Sequence, residues 1–420
     1  MAITKPSKNR GLSLIELMVG VVIGMIAIII IMQVAITFEA QKRTTVGTAG
    51  AMDEGSVGLF TLRREIQSAG YGMADPDLIN CPIKGYAQLI QCKAGDPTPP
   101  PGQYFNFRLL PILITQGVDG APDSIAVNYS NSPMMATAST LQRKFEGNES
   151  GNSEEEVRFK MSNRYGFNLG DVVVLSHPLA VDAANNRFCS FYEVTGLIDE
   201  DEIEHKLACY TKPGAILPDS SRFNKDGGLY PDPLYPATAP IYPGGSKVFN
   251  LGGNPASNVF VVTPDGKLVI NNQLTPGALP TVLFENVISF QAQYGFDARP
   301  GAQVNLQVPA QDYASDGPLG AGGFSDIIQD ADNSGTAGDT GDWLRMGAVR
   351  IAIVVRNQYP DRPDPGTGLC NTTTTPPTWT WGVVPSLAMA AQQADWQCYR
   401  YKVFESVIPL RNMFWKARES

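Results

Sequence analysis

The start of the chain constrains it most. Lys5, Lys8 and Arg10 lead to a single Gly11, and from Leu12 to Phe38 every residue except Glu16 is apolar or uncharged. That run exceeds the ~20 residues a bilayer core needs, and as a helix it spans roughly 40 Å. The three cations ahead of it predict a cytoplasmic N-terminus. A charge inside such a span costs about 2.5–3.5 kcal/mol at the bilayer centre, less toward the interface, and usually has a function. Glu16 is therefore the anomaly to explain. An ordinary secretory signal carries its cleavage site after the apolar run, and no A-x-A-like site followed by polar sequence stands there.

The stretch Lys8-Asn9-Arg10-Gly11-Leu12-Ser13-Leu14-Ile15-Glu16 resembles the type IV prepilin signature. The resemblance implies that a prepilin peptidase cuts between Gly11 and Leu12. Leu12 then becomes the N-methylated first residue, and Glu16, the fifth after Gly11, is the family's invariant glutamate. Most of the family has Phe where this chain has Leu12. Cleavage leaves an α-amino cation in apolar surroundings, where a charge needs a partner. Glu16 can supply it, to its own chain or to a neighbour in a helix bundle. The expected location is the inner membrane, single-pass with the head in the periplasm, and then the extracellular pilus.

No Pro occurs between Leu12 and Gly72, and Leu59, Leu62, Ile66 and Ala69 recur at helical spacing. Gly70, Gly72 and Pro76 are stop signals. One helix to about Ala69 is expected: a leader over 1–11, an apolar filament-core segment over 12–38 and an amphipathic continuation over 39–72. Gly47, Gly50, Gly55 and Gly58 each cost such a helix up to about 1 kcal/mol, which predicts a break near them. Gly20 and Gly24 have a spacing that lets helices approach closely. Many pilins carry Pro in the apolar helix; here Gln33 and Thr37 stand instead.

Residues 73–420 read as a β-rich head. With 41 Gly and 32 Pro among 420 residues, above the roughly 12% average, long loops are expected. The formal net charge is −9, and loss of the three leader cations leaves −12. No general nucleic-acid binding is expected, since that needs a basic patch. Cys81, Cys92, Cys189, Cys209, Cys370 and Cys398 all follow the span, on the side where disulfides persist. Six Cys allow 15 pairings. Their grouping suggests neighbours in sequence, 81–92, 189–209 and 370–398, with buried free thiols as the alternative. Ser124–Tyr129, Val157–Met161, Asp171–Leu175 and Phe191–Thr195 have strand character. Residues 211–246, with Tyr230, Tyr235 and Tyr242, read as a surface loop. Thr263-Pro264-Asp265-Gly266 reads as a hairpin turn.

Four blocks carry a second resemblance: Leu62–Tyr71, Leu283–Gly295, Met346–Asn357 and Tyr401–Asn412. They look like those of PilW-type minor pilins, with residues 96–255 as insertions matching nothing recognisable. The fold class implied is α+β: a type IV pilin fold, its long N-terminal helix packed on an antiparallel sheet. The implied function is to start pilus assembly at or near the tip. The implied partners are other minor pilins, the major pilin and a large tip adhesin. Two rivals stand beside it. One is a ligand-binding tip subunit using Trp379, Trp381 and Trp396 in the 370–398 loop. The other is a type II secretion pseudopilin, whose large tip subunit typically lacks the glutamate that Glu16 supplies. No P-loop, G-x-S-x-G or H-E-x-x-H motif occurs, and His177 and His205 are the only histidines. An enzyme is not expected, and no cofactor is required.

The stretch Asp330-Ala331-Asp332-Asn333-Ser334-Gly335-Thr336 matches the opening of a calcium loop, with oxygens at places one, three and five and Gly at six. Place twelve is Gly341 rather than Glu, so Asp339 or Asp342 would have to complete a shell of Asp330, Asp332, Ser334 and the Thr336 carbonyl. The alternative is a solvated turn.

Overall fold

The computed structural model describes residues 13–73, 75–88, 102–133, 138–146, 157–177, 188–206, 209–210, 219–225, 241–275, 279–297, 324–364, 366–384 and 395–413. One helix, Leu14–Ser68, runs unbroken for 55 residues. It opens on a capping box, in which Ser13 Oγ accepts the Glu16 N–H at 3.2 Å and the Glu16 carboxylate accepts the Ser13 N–H at 2.9 Å. Leu14–Glu39 is long and apolar enough to cross a membrane, and none of its most apolar window is buried against the head.

The break expected at the glycines is absent, and packing explains why. A Cβ on Gly55 would overlap the Phe404 ring, and one on Gly58 the Phe284 ring, while Gly47 lies against Asn357. Bare backbone at these places lets two aromatic rings lie directly on the helix. Burying a ring can outweigh the roughly 1 kcal/mol that each glycine costs. Ala51, Leu62, Ile66 and Ala69 complete the buried face. Beyond Ser68, Gly70 and Gly72 both take positive φ, +73° and +72°, which turns the chain off the helix axis.

The helix packs on a core lobe built from two sheets. A five-stranded sheet has the order Thr281–Phe284, Leu268–Asn272, Ala256–Val262, Ser124–Tyr129, Ile112–Thr115. A four-stranded sheet has the order Phe324–Ser325, Val287–Phe296, Met346–Arg356, Tyr401–Pro409. Every pairing in both is antiparallel. The Thr263–Gly266 turn closes its hairpin, with Gly266 at φ +78°. Ile125, Val127, Phe260, Phe290, Ile351, Ile353 and Ile408 fill the space under the helix.

A second lobe leaves and re-enters the core between adjacent strands, since Tyr129 pairs with Ala256. Its main sheet has the order Gly102–Arg108, Pro82–Gln88, Cys189–Glu193, Val172–Ser176, Lys247–Gly252, Ser139–Thr140. A three-stranded sheet, Gly196–Leu197, Glu202–Glu204 and Arg158–Lys160, encloses Phe159, Tyr192, Ile203 and Tyr242 against it. On the other face, Met73 and Leu78 from the turn after the helix pack with Phe191, Phe223 and Leu251. The strands that pack closely on the helix all belong to the core lobe, while the turn that follows the helix packs into the second lobe through Met73 and Leu78.

Several expectations need correction. The insertion is not a uniform 96–255, because Ile112–Thr115 and Ser124–Tyr129 are strands of the core sheet. Pro82–Gln88 is a strand and not a short loop closed by Cys81 and Cys92. Cys81 bonds to Cys189, 108 residues away, with Cα atoms 6.0 Å apart, so neither 81–92 nor 189–209 forms. Parallel pairing of Ile83 with Cys189 brings the two together. Cys92 and the Cys209 side chain lie outside the described residues. Cys370 bonds to Cys398. Tyr242, expected on a surface loop, is fully buried and shares a 2.7 Å hydrogen bond with Ser190 Oγ, while Tyr230 and Tyr235 lie outside the described residues.

Candidate functional site: the assembly helix and the loops of the head

Gly11 and Leu12 lie outside the described residues. The carboxylate of Glu16 folds back to the Ser13 N–H, one residue from the amine that cleavage after Gly11 would create. It can thus act on its own chain's terminus, and because it is exposed it can also face a neighbour's. Gly20 and Gly24 have open space where a Cβ would stand. Farther along, Val46, Met52, Val57 and Phe60 are exposed, on the side of the helix away from the head. The helix therefore offers apolar surface along its first half and again between Val46 and Phe60.

Sequence reasoning missed what holds the helix to the head. The Asn412 amide donates to the carbonyls of Gln67, Ser68 and Ala69 at 3.1, 3.1 and 3.2 Å. These are acceptors that a helix end leaves unpaired. Glu65 accepts from Tyr129 Oη at 3.0 Å and from Asn258 Nδ2 at 2.9 Å, tying the last turns to the five-stranded sheet. The Leu-Arg-Asn ending and the Arg-Arg-Glu-Ile block were visible in the sequence, but their mutual contact was not.

The acidic loop is compact. Oxygens of Asp330, Asp332 and Asp342 lie within 4.8 Å of one another. Asp342 is fully buried and accepts N–H groups from Ala331, Asp332 and Gly338 at 2.5, 3.1 and 2.7 Å. Burial raises its pKa, and those bonds oppose the rise. Asp330 accepts the N–H groups of Ser334 and Gly335. Asp339 stands outside the triad, capping the short helix Thr340–Leu344 and taking the Ser334 hydroxyl at 2.7 Å. The Ser334 N–H donates to Asp330 and Asp332 at 2.9 Å each, and Ser334 Oγ is 3.5 Å from the Thr336 carbonyl. The loop is joined to the turn after the long helix, where Asn80 Nδ2 donates to the Gly338 carbonyl.

In the Cys370–Cys398 loop, Trp379 and Trp396 pack against Ile288, Val354 and Val384, covering the four-stranded sheet on its face away from the helix. Trp381 is half-buried, 4.3 Å from the Arg350 guanidinium, which also lies over Phe324. Two of the three tryptophans are thus committed to packing, which weakens the idea of an aromatic platform. His205 is buried between Phe159 and Tyr192, its ring 4.1 and 4.4 Å from theirs. Burial pushes its pKa down to about 3, so it is a core residue.

A long N-terminal helix with an apolar first half, carrying a mostly antiparallel β head, defines a pilin-like α+β protein. Two family models match the sequence: Type IV Pilus-assembly protein W over residues 267–412 and the Prokaryotic N-terminal methylation motif over residues 6–32. The first spans the second strand of the hairpin, the long strands of the four-stranded sheet and Asn412; the second spans Gly11, Leu12 and Glu16. Over these two stretches the chain is similar to PilW-type pilus-assembly proteins and carries the N-methylation signature. No curated protein and no solved structure matches it.

Proposed function

We propose that this minor pilin takes part in initiating the type IV pilus and sits at or near its tip, among other minor pilins. The major pilin would lie below it and a large tip adhesin beside it. The family supports a structural role in pilus assembly and contact with other pilus components. What favours the tip is the second lobe. Subunits drawn from a membrane point their helix C-termini away from it, and this lobe packs on the turn that follows that end. A lobe carried at that end would meet a subunit stacked above before one stacked below. The helix also fits this reading, anchoring the chain in the inner membrane before assembly. The test is to tag the head in the full chain and label sheared pili. Label at one end of each filament is expected, and label distributed along the shaft overturns the reading.

We also propose that calcium binds Asp330, Asp332 and Asp342. The convergence of three carboxylates on a loop joined to the turn after the long helix supports this, and calcium titration of the full chain tests it.

A further inference from the structure

The first charged residues after Glu16 are Glu39 and Lys42. On an unbroken helix they mark where the apolar core of a bilayer ends and its headgroups begin. The head starts close above them. Gly47 lies against Asn357, only about 12 Å of helix beyond Glu39. The strand Met346–Arg356 runs along the helix toward that point. Its other end is fixed where the Leu410 N–H meets the Gly347 carbonyl and Asn412 caps Gln67, Ser68 and Ala69. Gly47 to Ser68 is about 32 Å of helix, and Gly347 to Asn357 is about 33 Å of strand, so the two lie side by side over the same height. The chain beyond Asn357 therefore emerges at the membrane end of the head.

There it forms a stapled knob from residues 357–364, 366–373 and 395–400. Asn357 joins the stems, its N–H donating to the Arg400 carbonyl, its Oδ1 accepting the Arg400 N–H and its Nδ2 donating to the Tyr359 carbonyl. The Asp361 N–H donates to the Cys398 carbonyl, the Thr373 N–H donates to the Gln397 carbonyl, and Cys370 is bonded to Cys398. Held in this way, the knob still exposes Tyr359 and Leu369, by 44 and 64%. Asp361, Asp364 and Asp395 against Arg362 and Arg400 give it a formal charge of −1, in a chain that carries −9.

We infer that before assembly this knob rests on the phospholipid surface, with Tyr359 and Leu369 among the headgroups. The inference rests on the membrane anchoring of the helix proposed above and adds where the head meets the bilayer. Of the 12 Å of helix between Glu39 and Gly47, a headgroup layer takes roughly 5–8 Å. The remainder is thinner than the roughly 10 Å of one packed layer of chain, so lipid and not another protein fills it while the helix is in the bilayer. Tyrosine is enriched at that depth, where an apolar ring and a polar tip both find suitable surroundings. The near-neutral knob also meets little repulsion from anionic headgroups.

The test uses the full chain in vesicles of phosphatidylethanolamine and phosphatidylglycerol whose acyl chains are brominated near the glycerol end. A fluorescent amino acid is placed singly at 30, 327, 359 or 369, and peptide mapping first shows that each chain keeps its Cys370–Cys398 bond. Ile30 reports the anchor. Ile327 is 72% exposed and follows a strand paired at Tyr294 and Gly295, at the opposite end of the four-stranded sheet, so it is the control. Relative to unbrominated vesicles, loss of fluorescence is expected at 30 and at 359 or 369, with none at 327. Loss at 30 alone overturns the contact and leaves the anchoring standing. Loss at 327 equal to that at 359 and 369 also overturns the contact, since the membrane end then has no preference. No loss at 30 removes the anchoring and the contact with it.

Discussion

At the scale of single residues, Glu16 is the side chain on which assembly should turn. In the capping box it serves one helix start, a contribution of about 1 kcal/mol that a membrane-held monomer can lose. In a water-free bundle the same carboxylate would face a methylated amine with no solvent to share the charge. Glu16→Ala should therefore be cleaved and stay in the membrane, yet be missing from sheared pili by immunoblot; normal incorporation would sink charge compensation. A bulky residue at Gly11 should leave the leader attached, read as a mass about eleven residues larger, since the peptide before the cut must be small. Asn412 makes a different kind of prediction. Asn412→Leu removes the donor from three helix-end carbonyls, of which Ser68 keeps the Tyr71 N–H, and leaving such acceptors unpaired costs about 1–3 kcal/mol. Asn412→Asp should be worse, because it sets a negative charge at the negative end of the helix. Thermal melts of the full chain in detergent check this, and an unchanged midpoint for both variants would remove the cap from the account.

At the scale of elements, the acidic loop is the one whose state a ligand can change. Asp342 is already held by three N–H groups, but Asp330 and Asp332 sit on the exposed side with like charges close by. A cation there would relieve that repulsion and stiffen the junction through Gly338 and Asn80. Calcium at about a hundred times its dissociation constant should raise stability by about 2.7 kcal/mol. Asp330→Ala with Asp332→Ala should abolish the response. No heat on titration and no shift in melting leave a plain turn.

The same scale shows what the sequence made legible. Ser124–Tyr129, the Thr263–Gly266 hairpin and the long strands after it were readable because their signals are local: period-two alternation and turn residues at fixed places. The buried face of the helix was readable for the same reason. The glycines were misread because their cost is local and their compensation, Phe404 and Phe284, comes from more than 200 residues away. The 81–189 disulfide was missed likewise, since proximity in sequence says nothing about a parallel pairing that forms only in the folded sheet. The sequence could propose both Asp339 and Asp342 for a cation; the short helix Thr340–Leu344 decides between them, since Asp339 caps it while the Asp342 carboxylate reaches Asp330 and Asp332.

At the scale of the whole molecule, the two lobes should respond to acid in opposite directions. His205 lies in the second lobe, its pKa lowered from 6.5 to about 3 by burial among aromatic rings. Its folded form binds fewer protons than its unfolded form between those values. Its contribution is therefore whole above pH 6.5 and is lost as pH falls toward 3, by a few kcal/mol at about 1.4 kcal/mol per pH unit. Asp123 lies in the core lobe, almost fully buried, with its carboxylate accepting from Gly117 N–H and Ala292 N–H at 2.8 Å each. Burial raises its pKa from 3.8 to about 6 despite those two bonds. Here the folded form binds more protons in the window from 3.8 to 6, so this lobe gains stability as pH falls through it, by up to about 3 kcal/mol. Hydrogen exchange of the full chain in detergent, corrected for intrinsic rates, reads both lobes at once. Between pH 7 and 4.5, amides of Arg158–Lys160, Cys189–Glu193 and Glu202–Glu204 should lose protection, and those of Val287–Phe296 and Met346–Arg356 should hold or gain it. His205→Phe keeps the aromatic packing without a titrating group and should abolish the acid loss in the second lobe alone. A chain whose lobes lose protection together, or one in which His205→Phe changes nothing, would show that the acid response is carried by other groups.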